Sequence, residues 1–77
     1  MRKALLEMKN GEKGTISALN GGRGMRDRLE AMGLREGKQL TRVSGMIAGG
    51  PVVVQVAGTQ AAVGRGMAAR IEIEIDG

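Results

Sequence analysis

The sequence predicts a small, mainly β domain that closes into a strongly curved barrel of about five strands, with one short helix after the first strand. Three observations support this fold class. Short aliphatic segments recur along the chain, several of them with the period-two alternation of a half-buried strand. Fourteen glycines and one proline separate them, as turn residues do, and only one segment has helical periodicity. Five strands are too few for a sandwich, whereas a curved barrel leaves little sheet edge exposed.

The predicted strands differ in the regularity of their patterns. They cover residues 13–19, 39–44, 51–57, 60–63 and 70–76. In the first strand, Ile16 and Ala18 are expected to face inward. In the second, Leu40 and Val43 are out of phase for a flat strand, and a bulge near Arg42 would reconcile them.

The last strand and the hairpin before it have clearer signals. Ile71, Ile73 and Ile75 alternate with three acidic residues, which is the pattern of a strand with one buried face. Gly58 and Thr59 predict a two-residue turn between the third and fourth strands. Glycine at the first central position of that turn favours type II′.

The helix is predicted at residues 24–32. Three apolar side chains share one of its faces: Met25, Leu29 and Met32. Gly33 is expected just past its end in the left-handed conformation, which would place Leu34 against Leu29 in a Schellman motif. The end of this helix is therefore well defined by sequence.

Composition excludes several functions. Seventy-seven residues form one domain, residues 1–77, with neither Cys nor His. Disulfides and the usual catalytic base and thiol nucleophile are thus absent, and no catalytic residue is assigned. A secretory signal and a membrane span are not indicated. We expect a cytoplasmic, non-enzymatic protein without direct membrane insertion.

Two other functions remain open at this stage. A net charge of +4 and arginines on and after the helix would suit an acidic protein surface or a nucleic acid. Nucleic acid is the weaker alternative, because acidic residues are interleaved and no aromatic side chain can stack on a base. The other alternative is a ligand-sensing regulatory module, in which Glu72 and Glu74 would form a carboxylate-only metal site.

Four motifs, in order, make the chain resemble the FeoA family over nearly its whole length. They are R-x-x-L at residues 26–29, M-G-L-R-E-G at 32–37, G-G-P-V at 49–52 and A-A-V at 61–63. Two features depart from the family pattern. Arg42 stands where an aliphatic residue is more common, and residues 64–66 are less helical than usual.

The resemblance implies an SH3-like barrel with a helix inserted after the first strand. It also implies an accessory protein of bacterial ferrous iron uptake that binds and modulates FeoB, a membrane transporter with a cytoplasmic GTP-binding domain. FeoA-like domains occur as C-terminal modules of DtxR-type repressors as well. This chain shows no DNA-binding helix pair before the barrel, so the stand-alone form is expected.

The partner surface is expected where glycine-bounded loops turn apolar side chains outward. The candidate residues are Arg26, Leu29, Met32, Leu34, Met46, Ile47 and Pro51. For Leu29 and Met32, a place in the core is the competing interpretation. Met46 and Met67 flank glycines, where flexible thioethers can adapt to a partner. No cofactor or resident metal is predicted, and the sequence leaves the oligomeric state undetermined.

Overall fold

The computed structural model describes residues 1–44 and 50–76, which form one antiparallel sheet with short helices. The elements, in chain order, are β1 Arg2–Ala4, a 3-10 turn Leu5–Glu7, β2 Lys13–Leu19, α1 Arg23–Ala31, β3 Gln39–Ser44, β4 Val52–Val56, β5 Thr59–Val63, α2 Arg65–Ala68 and β6 Ile71–Ile75. The mainly β class is confirmed. β1 escaped prediction because three residues are too few to show alternation.

The six strands are hydrogen-bonded in the order β1-β6-β2-β3-β4-β5. The last strand of the chain therefore lies between the first two. Within the described part of the chain β1 and β5 do not pair with each other, so hydrogen bonds do not close the sheet into a complete ring.

One aliphatic core lies under the sheet, and no polar side chain of the described residues is buried in it. Its members are Leu5, Met8, Ile16, Leu19, Leu29, Leu34, Leu40, Val52, Val54, Val56, Val63, Ala68, Ile71 and Ile73. Every strand from β2 to β6 contributes to it, as do both helices. Because aromatic residues are absent, mainly branched aliphatic side chains, with Met8 and Ala68, fill this volume.

Two bulges change which side chains face the core. In β2 the register against β6 shifts between Ile16 and Ala18. Ile16 is buried as predicted, but Leu19 is the next buried residue and Ala18 is only half-buried. The prediction for Ala18 was wrong because a bulge inserts one residue and reverses the alternation after it.

The bulge predicted in β3 is confirmed, with the register against β4 shifting between Arg42 and Ser44. It does not bury both apolar residues, however. Leu40 is in the core, whereas Val43 is 36% exposed. Val43 lies at the bulge and points away from the core.

The hairpin between β4 and β5 differs from the predicted turn by one residue. Val56 pairs with Thr59, so the central residues are Ala57 and Gly58. Both have positive φ, 51° and 80°. This is the signature of type I′ rather than II′, and its twist matches that of the flanking strands.

The C-terminal end of α1 is the predicted Schellman motif. Gly33 has φ of 86°. Its N–H donates to the Glu30 carbonyl at 3.0 Å, and the Leu34 N–H donates to the Leu29 carbonyl at 2.9 Å. Leu29 and Leu34 are both fully buried. The motif therefore turns the chain back so that both leucines join the core.

Arg42 holds the segment between β1 and β2 against β3. Its guanidinium Nη1 donates to the carbonyls of Leu6, at 3.1 Å, and of Met8. Its backbone N–H donates to the Glu12 carbonyl at 3.0 Å, and its own carbonyl accepts from the Gly11 N–H at 2.6 Å. An aliphatic residue at this position could not make the side-chain bonds, so Arg42 has a structural role here.

Glu12 closes the turn that enters β2. Its Oε1 accepts from the Lys9 N–H at 2.7 Å and from Lys3 Nζ at 3.3 Å. The backbone hydrogen bond from Lys9, followed by the hydrogen bond and charge of Lys3, lowers the pKa of the Glu12 carboxyl despite its partial desolvation.

Gly14→Ala is expected to destabilise the fold by about 1–3 kcal/mol through overpacking. Gly14 is buried in β2, and an added Cβ would overlap Ile73 Cγ2 and lie 2.7 Å from the Glu74 carbonyl oxygen. Urea unfolding followed by far-UV circular dichroism measures the loss, since the chain has no aromatic fluorophore. Gly66→Ala is the control, because a Cβ there meets nothing within 4 Å. Equal stability of the two variants would contradict the prediction.

Arg42→Met should cost about 1–3 kcal/mol, because it removes the donor to the Leu6 and Met8 carbonyls while keeping an apolar stem of similar length. The free energy of unfolding measures the effect. Arg35→Met, at an exposed position outside the sheet, should change it by less than about 0.5 kcal/mol. If the Arg42 variant is as stable as the Arg35 variant, the proposed tether is wrong.

Glu12→Gln should lower stability at neutral pH, and the difference from the parent chain should shrink on acidification. A carboxyl with a lowered folded-state pKa stabilises the fold above its unfolded pKa and loses that contribution as pH falls through the folded value. The window therefore lies below about pH 4.5. Urea midpoints of both chains at pH 7 and pH 3 test this. A difference of the same size at both pH values would contradict it.

Candidate partner-binding surface

The two helices lie side by side because β2 and β6 pair antiparallel. Leu19 at the end of β2 is opposite Ile71 at the start of β6. The helix that follows β2 and the helix that precedes β6 are therefore brought to the same end of the sheet. A hydrogen bond of 2.8 Å from the Asn20 N–H to the Arg70 carbonyl joins the two connecting segments.

Between these helices lies a groove of about 430 Å³, called here the α1–α2 groove. It is lined by Gly24, Met25, Arg28, Gly66, Met67 and Arg70. Each helix side supplies one glycine, one methionine and one arginine. The groove thus combines apolar surface, positive charge and exposed backbone.

Both methionines of the groove are half-buried and pack against the core. Met25 lies directly over Gly21, where any Cβ would overlap its sulfur. Met67 Cε would lie 3.9 Å from a Cβ at Gly64. Met25 therefore depends on a neighbouring glycine for its position, and the flexible thioethers can adjust to what contacts them.

The charge of the groove is entirely positive. Arg28 and Arg70 line it, and no carboxylate does. Among residues 1–44 and 50–76, neither arginine takes part in an ion pair. The guanidinium groups are thus available to an anionic partner.

In a smaller pocket of about 240 Å³ beside β1 and β6, most of the charged side chains are paired with one another or with a neighbour. Arg70, which lines this pocket as well as the groove, has no ion-pair partner among the described residues. Arg2 bonds Glu74 at 3.1 Å and Glu72 at 3.5 Å. The terminal ammonium of Met1 lies 2.7 Å from Glu74, and this bond, followed by that of Arg2, lowers the pKa of the Glu74 carboxyl. The acidic face of β6 is therefore an ion-paired surface.

No cluster of three or more metal-ligating side chains occurs in the part of the chain that the structure describes. Glu72 and Glu74 lie on the same face of β6, but Arg2 bonds both of them. A metal there would have to displace Arg2.

The residues predicted to bind a partner fall into different environments. Leu29 and Leu34 are fully buried, so they can influence a partner only through the position of α1. Met32 is half-buried at the helix end, and Pro51 is exposed directly before β4. Met46 and Ile47 lie outside the described residues. The binding role of this set stays a prediction.

Arg26, the remaining residue predicted to bind a partner, stabilises the position of α1. Its Nη1 donates to the Leu19 carbonyl at 3.0 Å, and its Nη2 lies 3.4 Å from Glu36 Oε1. The side chain is half-buried by these contacts. Arg26 and the helix-end residues lie along α1 and its C-terminal turn, whereas Pro51 belongs to another segment.

Sequence reasoning did not identify the α1–α2 groove. It found Met67 as a methionine next to a glycine, but it gave no reason to bring Met67 and Arg70 next to α1. The sequence does contain one signal for the groove, because the combination of Gly, Met and Arg occurs both in α1 and around α2. Only the register of β2 against β6 shows that the two combinations face one groove.

Among the described residues, the longest helix has nine residues, and none is long and apolar enough to cross a bilayer.

Comparison with known proteins gives a consistent result. Residues 3–75 match the FeoA domain. A protein of Methanocaldococcus jannaschii, named as a candidate Fe(2+) transport protein A, is 33% identical over 66 residues, covering 86% of this chain and 78% of its own length. The crystal structure of an iron uptake regulatory protein (FeoA) superposes with a TM-score of 0.89 at 33% identity, covering 99% of both chains.

More distant structures share the fold. FeoA of Stenotrophomonas maltophilia, solved with zinc and described as a prokaryotic SH3 domain protein, superposes with a TM-score of 0.75 at 23% identity over 96% of this chain and 89% of its own. This likeness supports the SH3-like fold expected from the sequence. From residues 3–75, which match the family's domain, and from a relative one third identical, we conclude that this chain belongs to the FeoA family.

Proposed function

We propose that this chain is a non-enzymatic accessory protein of ferrous iron uptake that binds and modulates the cytoplasmic GTP-binding domain of an FeoB-like membrane transporter. The observation that carries the proposal is the match to the FeoA domain over residues 3–75. Its similarity to the protein from M. jannaschii named for Fe(2+) transport supports the link to iron. The S. maltophilia protein, described as a candidate ferrous iron transport activating factor, supports a modulating role.

The chemistry of the chain supports binding rather than catalysis. The sequence supplies no imidazole and no thiol, and the α1–α2 groove presents arginines and thioethers, which are poor acid–base groups at neutral pH. Guanidinium groups beside an apolar floor are suited to recognising a protein surface. In this proposal iron is the cargo of the transporter and does not bind stably to this chain. The protein acts on the cytoplasmic side, where the GTP-binding domain lies.

A regulatory or nucleic-acid-binding role is the second candidate. The net charge of +4 favours it, and the uncompensated arginines of the groove add to it. The lack of aromatic side chains counts against it, because bases would have no stacking surface. Salt dependence separates the two candidates, since phosphate binding by several cations weakens steeply as salt rises.

We expect the chain to bind the purified cytoplasmic domain of the FeoB-like transporter from the same organism in a saturable, weak complex whose affinity depends on the bound nucleotide. Isothermal titration calorimetry in the nucleotide-free, GDP-bound and GTP-analogue-bound states measures it. An unrelated GTP-binding domain of similar net charge is the control.

Absence of binding in all three states would refute the proposed function. Binding to duplex DNA that falls steeply with salt, without binding to the transporter domain, would favour the second candidate.

A further inference from the structure

We propose that the α1–α2 groove is the docking site of the transporter domain and that it receives a short acidic segment carrying an apolar side chain. This inference rests on the proposed function and adds the location and chemistry of the contact. Four features of the groove carry it: its floor, its charge, its glycines and its size.

The floor of the groove selects an apolar group. Met25 and Met67 are half-buried, so each has part of its side chain on the core and part facing the groove. An unbranched thioether has several accessible rotamers and adapts its surface to an incoming aliphatic or aromatic side chain. Burial of that side chain against the two methionines would supply apolar contact at the centre of the interface.

The charge of the groove selects carboxylates. Arg28 and Arg70 have no ion-pair partner among the described residues, and no acidic residue lines the groove. This contrasts with Arg2 in the neighbouring pocket, which two glutamates neutralise. A guanidinium pairs with a carboxylate through two parallel hydrogen bonds, which gives both attraction and orientation. Acidic residues on either side of the apolar side chain would meet both arginines.

The glycines of the groove have no explanation within the fold itself. Gly24 and Gly66 lie in helices, where glycine is less stable than alanine. Neither has a positive φ, and a Cβ at either would meet nothing within 4 Å. Their lack of side chains leaves backbone exposed at both walls, where the main chain of a bound segment can approach closely.

The size and composition of the groove favour a protein segment over a nucleic acid or a lipid surface. A volume of about 430 Å³ accommodates one or two side chains. A base would find no aromatic side chain to stack on. A membrane surface would need a broad cationic face, whereas the groove concentrates two arginines around an apolar centre.

Methionine methyl groups provide a direct readout of groove occupancy. The chain has six methionines, so selective ¹³C-methyl labelling gives six signals to follow. On titration with the purified transporter domain, in the nucleotide state that binds, the Met25 and Met67 methyl signals should shift. The Met8 signal, from a side chain only 3% exposed, should not.

Two kinds of variant test the contact. Arg28→Glu combined with Arg70→Glu should weaken binding at least about tenfold, because two attractive pairs become repulsive. Gly66→Leu should weaken it about tenfold by filling the groove at an open position. Arg35→Glu combined with Lys38→Glu, which changes the net charge equally, and Gly22→Leu are the matched controls, since these residues are exposed and lie outside the groove lining. Thermal unfolding by circular dichroism verifies that every variant is folded.

The outcomes separate this inference from the proposed function. If the parent chain binds and both groove variants bind as it does, the groove assignment is wrong while the proposed function stands. If the parent chain binds the transporter domain in no nucleotide state, both are wrong. The inference is also wrong if the Met25 and Met67 methyl signals shift only on addition of duplex DNA or of vesicles containing anionic lipid.

Discussion

The structure depends on the insertion of the last strand between the first two. β6 pairs with β1 on one side and with β2 on the other, and its Ile71 and Ile73 are completely buried. The pairs with β1, such as Arg2 with Glu74, join the two ends of the described chain, so these ends stabilise each other. The same pairing sets Leu19 opposite Ile71, which brings α1 and α2 together. The candidate docking groove is therefore a direct consequence of the strand order.

A core without aromatic residues makes this arrangement sensitive to small changes in volume. Branched aliphatic side chains pack closely only where the backbone allows it, and Gly14 allows β2 to approach β6 without a side chain between them. Polar groups complete the fold at its periphery. Arg42 donates hydrogen bonds to two backbone carbonyls of the segment after β1, and these bonds hold that segment against β3.

Charge is distributed unequally between the two pockets that border α2. Beside β1, both glutamates of β6 have a cationic partner, and among the described residues only Arg70 leaves that pocket with an unpaired charge. In the α1–α2 groove the positive charge is uncompensated within the described chain. A protein that acts by docking needs a surface of this second kind, because desolvating a charge costs least when the partner supplies its counter-ion. The uncompensated charge of the groove is therefore consistent with the proposed docking role.

The sequence by itself determined the elements whose cause is local. The Schellman end of α1 follows from Gly33 and the spacing of Leu29 and Leu34, and the alternating strands follow from side-chain period, so these were predictable. The family also could be identified from motifs read in order. The bulge in β2 and the additional strand β1 were not predictable, because each depends on a partner strand distant in sequence. The hairpin turn is local, but its exact register, with Val56 paired to Thr59, was misplaced by one residue. Only the tertiary structure decided that Leu34 belongs to the core and that Met67 and Arg70 face α1. Both outcomes are set by the pairing of strands that are far apart in sequence, and a local sequence pattern does not contain that information.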